Sequence, residues 1–378
     1  MNNIKKAGLY IHVPFCSKKC NYCDFYSFKA DVGLKERYVR ALTGEIRAKA
    51  SAYADRLFDT VYIGGGTPTE LGSSLLCEII REVYSSFTLT SDCEFTVESN
   101  PGLDVNMLAL HESGANRLSI GLQSANSCEL AVLGRIHTLN DYFETVSQAR
   151  AAGFDNISTD IMFSLPSQST ELLENTLKTV IETAPEHISA YSLKIEPGTP
   201  FYKIKERLAL PNEDADADMY AYICKRLDEA GYGHYEISNF AKKGYESRHN
   251  LRYWECKEYI GLGPGAHSYI DSVRYSYKRD LLAVCDAYEK GVYDGIIDEH
   301  TLIDESEAMR ERIMLGLRLG RGIKLSELDS VIPRERLLEV TAPLEKCGYL
   351  SLSGNALVLS EKGMYVSNAI ISSILSLT

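Results

Sequence analysis

The chain has 378 residues, 45% hydrophobic and 24% charged, which is enough for a large buried core and a smaller second unit. A formal charge of −12 argues against a general electrostatic grip on nucleic acid. No apolar run reaches the roughly 18 residues a membrane span needs, and residues 1–7 are too polar to open a secretory leader.

A strand-like run over residues 9–13 leads directly into Cys16, Cys20 and Cys23. Three thiolates satisfy three irons of a four-iron cubane and leave the fourth open to a small molecule. A closed cluster wants a fourth cysteine, and a tetrahedral zinc site a fourth Cys or His. Asp24, Phe25 and Tyr26 follow the set, and His12 lies in the strand before it. A reactive or zinc-binding thiol group is the plainer alternative. Cys77, Cys93, Cys128, Cys224, Cys256, Cys285 and Cys347 are scattered singly, as reduced thiols of a cytoplasmic protein are.

A helix is predicted over 34–53, then a strand over 60–63 that ends in Gly64-Gly65-Gly66-Thr67-Pro68. Without Cβ atoms this run allows close backbone approach and free N–H or C=O groups, although alone it usually marks a tight turn. A helix over 73–84 and a strand over 94–98 follow, the strand ending at Glu98. The next strand, 117–120, is trailed by Gln123. A helix over 142–152 is followed at once by Gly153, as a C-cap demands. A strand over 157–162 holds Asp160, a helix spans 170–183, and a strand over 187–193 holds Tyr191. This alternation implies right-handed crossovers and a mostly parallel α/β sheet. Six units make a partial (β/α)6 barrel, short of the usual eight.

Ligands bind such sheets at the carboxyl ends of strands, and here those ends carry the unusual residues. An adenosyl-sulfonium ligand on an open iron needs acceptors for ribose hydroxyls, which Glu98, Gln123 and Asp160 offer. Its carboxylate needs a counter-charge, which Arg135 offers. Each of these residues reads equally well as a salt bridge or cap.

Further on, HNLRYW sets His249 near Tyr253 and Trp254, the single tryptophan, so an imidazole and aromatic faces are available to a flat macrocycle. The alternative has His249 and Asn250 capping a loop and Trp254 filling core. His267, after Gly263-Pro264-Gly265, reads as part of a rigid turn, and His234 receives no role. Helices over 305–320 and 334–347 and a hairpin at Ser353-Gly354-Asn355 resemble a winged-helix-like module. Its basic and acidic residues nearly balance, which favours a structural or lid role over DNA binding. The domains expected are 1–235, the barrel; 236–300, a barrel extension and connecting segment; and 301–378, the small module, with the boundary near 294–304.

CSKKCNYC with GGGTPT resembles the radical S-adenosylmethionine superfamily. IHVPFCSKKCNYCDF, VESNPG, SIGLQS, LGRIHT, STDIMFSLP, YEISNFA, HNLRYW and GLGPGAHS together resemble the oxygen-independent coproporphyrinogen III oxidase family, and within it the haem-chaperone branch. The match runs from about Tyr10 into the C-terminal module. It implies a 4Fe–4S cluster on Cys16, Cys20 and Cys23. It also implies S-adenosylmethionine contacts at Tyr10, Tyr22, Gly65, Gly66, Thr67, Glu98, Gln123, Arg135 and Asp160. Ser164 departs from the family's usual Gly.

The oxidases carry a further cysteine where Phe25 stands, and a long N-terminal extension where fifteen residues precede Cys16 here. The resemblance therefore implies a cytoplasmic protein that binds haem or another tetrapyrrole, with His249 as tentative ligand. It passes haem to an acceptor protein and uses an electron donor if the cluster is reduced. Neither nucleic acid nor a membrane span is expected. The alternative is a radical enzyme that decarboxylates coproporphyrinogen III in porphyrin biosynthesis.

Overall fold

Strands β1 (Lys5–Val13), β2 (Arg56–Gly65), β3 (Leu89–Ser99), β4 (Arg117–Gln123), β5 (Ile157–Phe163) and β6 (His187–Ser192) pair in chain order, each parallel to the next. The computed structural model describes residues 5–378, so the start of the polar stretch read as no leader lies outside it. Helices Val32–Ala52, Ser73–Ser86, Leu139–Ala151 and Thr170–Thr183 match the four predicted ones to within three residues at either end. Their starts have local causes. Asp31 caps the first through Leu34 N at 2.8 Å, and Thr138 with Asp141 forms a capping box on the third. Short helices at Met107–Glu112 and Ser127–Leu133 complete the crossovers and have too few turns to show a period in sequence.

Alternation within the strands separates two faces. In β4, Leu118, Ile120 and Leu122 are buried in the main apolar core. Burial of each is worth roughly 2 kcal/mol. Arg117, Ser119, Gly121 and Gln123 occupy the opposite, concave face.

The stretch read as an extension and connector adds strands to both edges of this sheet. β7 (Gly233–Glu236) pairs with β8 (Asn239–Ala241), which runs antiparallel to β6. At the far edge, β9 (Tyr259–Leu262) lies parallel to β1, and β10 (His267–Ile270), β11 (Val273–Tyr277) and β12 (Ile297–Leu302) continue antiparallel. The result is one twelve-stranded sheet. β12 ends at Leu302, and the next helix starts at Glu305.

The C-terminal module packs helices Glu305–Gly316, Arg334–Lys346 and Ser367–Leu375 with three short antiparallel strands. These are β13 (Ile323–Lys324), β14 (Leu350–Ser353) and β15 (Ala356–Leu359), the last two joined by the predicted hairpin turn. The first helix stops at Gly316, short of the predicted residue 320. There the chain docks on β7, with Leu319 bridged to Glu236, and a Cβ on Gly320 would lie 2.5 Å from the His234 carbonyl. Among the described residues no helix is long and apolar enough to cross a membrane.

Candidate functional site

The period-2 pattern that buries Leu118, Ile120 and Leu122 turns the intervening β4 residues toward a cavity of about 320 Å³ at the carboxyl ends of the parallel strands. Glu98 of β3, Asp160 of β5 and Tyr191 of β6 join them, as do the cysteine loop after β1 and Gly65, Gly66 and Thr67 around the end of β2. The cavity thus gathers Cys16, Cys20, Cys23, Tyr22, Glu98, Gln123, Arg135 and Asp160 with the glycine run. Of the family-implied S-adenosylmethionine contacts, Tyr10 alone stands outside it.

The cysteine loop is pinned at several points. Cys16 N donates to Phe28 O at 3.1 Å, and Asn21 N donates to Leu133 O at 2.9 Å. All three cysteines are free and half-buried. Burial pushes the Cys16 thiol up and the Cys23 thiol up to about 11, which disfavours bare thiolates. A bound cationic iron core reverses that balance. Arg135 donates from Nη1 to Cys20 Sγ at 3.5 Å, and from Nη2 to Asn100 Oδ1 at 2.7 Å and Gly121 O at 2.6 Å. Its buried Nε has no partner among the described residues. Nor does any group of three His, Cys, Asp or Glu residues there close on a single metal ion. Free thiols ringing one cavity are the residue type that suits a multi-iron cluster.

The glycine run shows the expected close backbone approach, but its N–H groups are used within the protein. Gly65 N donates to Glu98 Oε2 at 3.1 Å, Gly66 N to Val13 O at 2.8 Å and Thr67 N to Phe15 O at 2.7 Å, so these N–H groups are not free for a ligand. Gly65 has φ +109°, and a Cβ there would lie 2.5 Å from the His12 ring. One on Gly66 would lie 2.6 Å from Phe15 O. The glycines form a seam that locks the root of the cysteine loop against β2.

Charge is concentrated on the cavity floor. Tyr62 donates to Glu98 Oε1 at 2.7 Å, and burial pushes the Glu98 carboxyl up to about 7. Burial also raises Asp160, which accepts from Ser119 at 3.2 Å. Arg117 lies close enough to hold both carboxyls lower than burial alone would leave them. It is only 2% exposed, with a 3.4 Å bond to Thr96 Oγ1 and an unpartnered Nε among the described residues. Sequence reasoning missed Arg117 and Asn100. The alternation in RLSIGLQ was the signal for Arg117, because it puts Arg117, Ser119, Gly121 and Gln123 on one face. Ser164, the departure from Gly, adopts φ +56° and anchors that turn by donating to Asp216.

Tyr10 and His249 belong to a second chamber of about 390 Å³. It shares Phe25, Tyr62, Gly65, Glu98, Tyr191 and Asn250 with the first. Phe25 is 59% exposed and borders both. His249 departs from the expectation of an available imidazole. It is 1% exposed, with Nδ1 2.9 Å from Thr60 Oγ1 and Nε2 2.8 Å from the Tyr253 hydroxyl. Burial lowers its pKa to about 3. Iron ligation through either nitrogen requires one of these bonds to break. Tyr253 lines the chamber, whereas Trp254 lines a separate groove with Glu255, Arg321 and Asn355.

A parallel partial barrel with a C-x3-C-x2-C loop and a glycine seam at its mouth is the architecture of the radical SAM superfamily, whose model matches residues 10–180. The HemN C-terminal domain matches residues 303–366. Among solved structures the fold is similar to coproporphyrinogen III oxidase (HemN) from Escherichia coli. The TM-score is 0.85 at 22% identity, over 99% of this chain and 91% of that one. Among curated relatives, the chain is 36% identical to heme chaperone HemW of Bacillus subtilis (strain 168), over 96% of this chain and 97% of that protein. It is 35% identical to heme chaperone HemW of Lactococcus lactis, over 86% and 85% respectively. The chain belongs to the HemW family of radical SAM proteins. Membership implies a 4Fe–4S cluster and S-adenosylmethionine, and the thiols, the guanidinium and the buried carboxylates are residue types suited to hold them.

Proposed function

We propose that this protein carries haem: it binds the tetrapyrrole beside a 4Fe–4S cluster held by Cys16, Cys20 and Cys23, and passes it to an acceptor protein. The observation that carries the reading is near full-length likeness to proteins named heme chaperones. Phe25 supports it, because an exposed apolar ring at the cavity mouth offers a surface to a flat macrocycle and no thiol for redox chemistry.

When bound, the cluster with S-adenosylmethionine supplies one-electron chemistry. The protein's part is to hold and orient. Arg135, fixed by Asn100 and Gly121, would pair with the ligand's carboxylate, and Glu98, Gln123 and Asp160 would accept from its ribose hydroxyls. Tyr22, Gly65, Gly66 and Thr67 give it close walls. Tyr10 acts from behind, its hydroxyl 3.0 Å from His12 Nδ1. We place the protein in the cytoplasm, where ten free cysteines and an oxygen-sensitive cluster stay reduced.

Anaerobic titration of haem onto the reconstituted protein should give a saturating Soret shift, and mixing with apo-haemoprotein should reverse it. Absence of the shift overturns the proposal. Catalytic turnover of coproporphyrinogen III in the same preparation overturns it in favour of the oxidase reading.

A further inference from the structure

One wall of the strand-end cavity holds a buried histidine outside the expected ligand contacts. His187 opens β6, pairs with Ser158 of β5 and is 1% exposed. Its Nδ1 lies 2.8 Å from Ser158 Oγ, and its Nε2 lies 2.7 Å from the Tyr235 hydroxyl. Tyr235 reaches it because of a bulge. His234 pairs with Phe240 and Glu236 with Asn239, so Tyr235 is the extra residue of β7. A bulge re-aims the side chain it carries. The Tyr235 hydroxyl also accepts from Ser247 N at 3.2 Å. Ser247 is the N-cap of the short helix Arg248–Trp254, and its own Oγ accepts from Asn250 N at 3.4 Å.

These bonds have a direction. Burial drives the His187 pKa well below its ordinary value, so the ring is neutral and carries one proton. Ser247 N–H already donates to the Tyr235 oxygen, so the tyrosine's own proton needs an acceptor, and Nε2 supplies it. The ring proton then sits on Nδ1 and is donated to Ser158 Oγ. That frees the Ser158 proton for Asp160, two residues along the same face of β5. Burial raises the Asp160 carboxyl, and the hydroxyls of Ser189, Ser119 and Ser158 lower it in turn. Ser247 N, Tyr235, His187, Ser158 and Asp160 thus form one chain, with ionised Asp160 as its terminal acceptor. With Asp160 protonated the chain holds one proton more and can run backwards. His187 then donates from Nε2 to Tyr235, whose own proton has no other acceptor among the described residues.

Asp160 is also an expected acceptor for the ribose hydroxyls of S-adenosylmethionine, whose sulfonium cation favours the ionised carboxyl. We propose that His187 is a positioning residue that joins this cofactor subsite to the short helix: filling the subsite sets the direction of the chain, and the forward direction holds the helix N-terminus. This role rests on the placement of S-adenosylmethionine against Asp160 and adds what that placement does beyond the cavity. Glu94 accepts from Arg248 N and His249 N, both at 3.0 Å, and anchors the same turn from outside the chain. The chain therefore tunes the helix start and does not create it. Coupling is reciprocal, so a helix start held by Tyr235 tightens S-adenosylmethionine by the factor by which the cofactor protects it.

Hydrogen exchange of the amides in residues 247–254, with and without saturating S-adenosylmethionine on the anaerobically reconstituted protein, tests this. In wild type the cofactor should slow exchange there by about fivefold. Tyr235→Phe and Ser158→Ala, each first checked for an unchanged circular dichroism spectrum, break the chain on either side of His187. Both should lose the slowing and, by isothermal titration, bind S-adenosylmethionine about fivefold more weakly. His187→Asn keeps a donor to Ser158 and loses the bond to Tyr235, so it should behave as Tyr235→Phe does. Ser119→Ala touches Asp160 without entering the chain and should keep the slowing at saturation. A wild type that binds the cofactor without slowing overturns the role of His187, as does slowing that persists in Tyr235→Phe or Ser158→Ala. Loss of the slowing in Ser119→Ala as well would show general loosening and overturn it too. A wild type that does not bind S-adenosylmethionine overturns the cofactor placement beneath it.

Discussion

The strand-end cavity and the aromatic chamber share a wall, yet they are built in opposite ways. The cavity is made where six parallel strands end, and its polar groups converge because every second residue of each strand faces inward. Those groups are buried and mutually perturbed: Glu98 and Asp160 are raised, with Arg117 beside them. Such a site suits a small, charged, hydrogen-bonding ligand, since the Arg117 and Arg135 guanidinium groups each keep a buried Nε without a partner among the described residues. The chamber is made beside the first parallel strand, where β9 joins β1 and a glycine turn leads into β10. Its walls are tyrosines, and its free polar groups, His267 and Arg279, are exposed. That arrangement suits a large apolar ligand with a few polar handles.

If the two are separable, the largest effect should stay on one side. Replacing Cys16, Cys20 and Cys23 together by alanine should drop reconstituted iron from about four per chain to near zero. The fold should survive, because backbone bonds pin the loop. Haem affinity, measured on the same preparation, should change by less than about threefold if the chamber holds haem unaided. A parallel loss of haem binding would break the comparison and make the chambers one site.

A smaller effect tests the cavity's charge. Glu98, pushed up to about 7, is largely protonated in the empty cavity below that pH. A cationic sulfonium favours the ionised form. S-adenosylmethionine affinity should therefore rise with pH up to about 7 and level off above, at most about tenfold per unit on the rising limb. In Glu98→Gln the slope should vanish. Isothermal titration with S-adenosylmethionine between pH 5.5 and about 8.5 checks it. A wild-type slope that persists in the variant assigns the titration to another group.

Much of the cavity was legible in sequence, and the chamber was not. The six-unit alternation shows because central parallel strands and their capped helices each leave a local pattern, and the cysteine and glycine runs sit at fixed offsets from it. What local pattern cannot show is which donors are already spent. Gly66 and Thr67 N–H groups look free in a glycine run, yet Val13 O and Phe15 O take them. His249 reads as an available imidazole in its motif, yet Thr60 and Tyr253 take a hydrogen bond with each of its nitrogens. The chamber depends on Gly8 pairing with Tyr259 across the sheet, a register no window of sequence contains.

The smallest effect concerns what holds the chamber's turn in place. Glu45, on the first helix, is fully buried and accepts from Gly263 N at 3.1 Å, while its other oxygen has no partner among the described residues. Burial pushes its carboxyl from 4.5 up to about 7. Between those values the unfolded chain has released this proton and the folded chain has not, so stability falls as pH rises through the window and is lowest above about 7. Glu45→Gln keeps an acceptor for Gly263 N and removes the ionisation. The ceiling on its benefit is about 3 kcal/mol, and the amide's unmet N–H groups reduce that to about 1 kcal/mol. Thermal unfolding should show Glu45→Gln raising Tm by roughly 2–4 °C at pH 8 and lowering it, or leaving it unchanged, at pH 5. An equal gain at both pH values would mean that Glu45 acts by packing alone. A gain confined to high pH would tie the charge of this one carboxylate to the turn at Gly263.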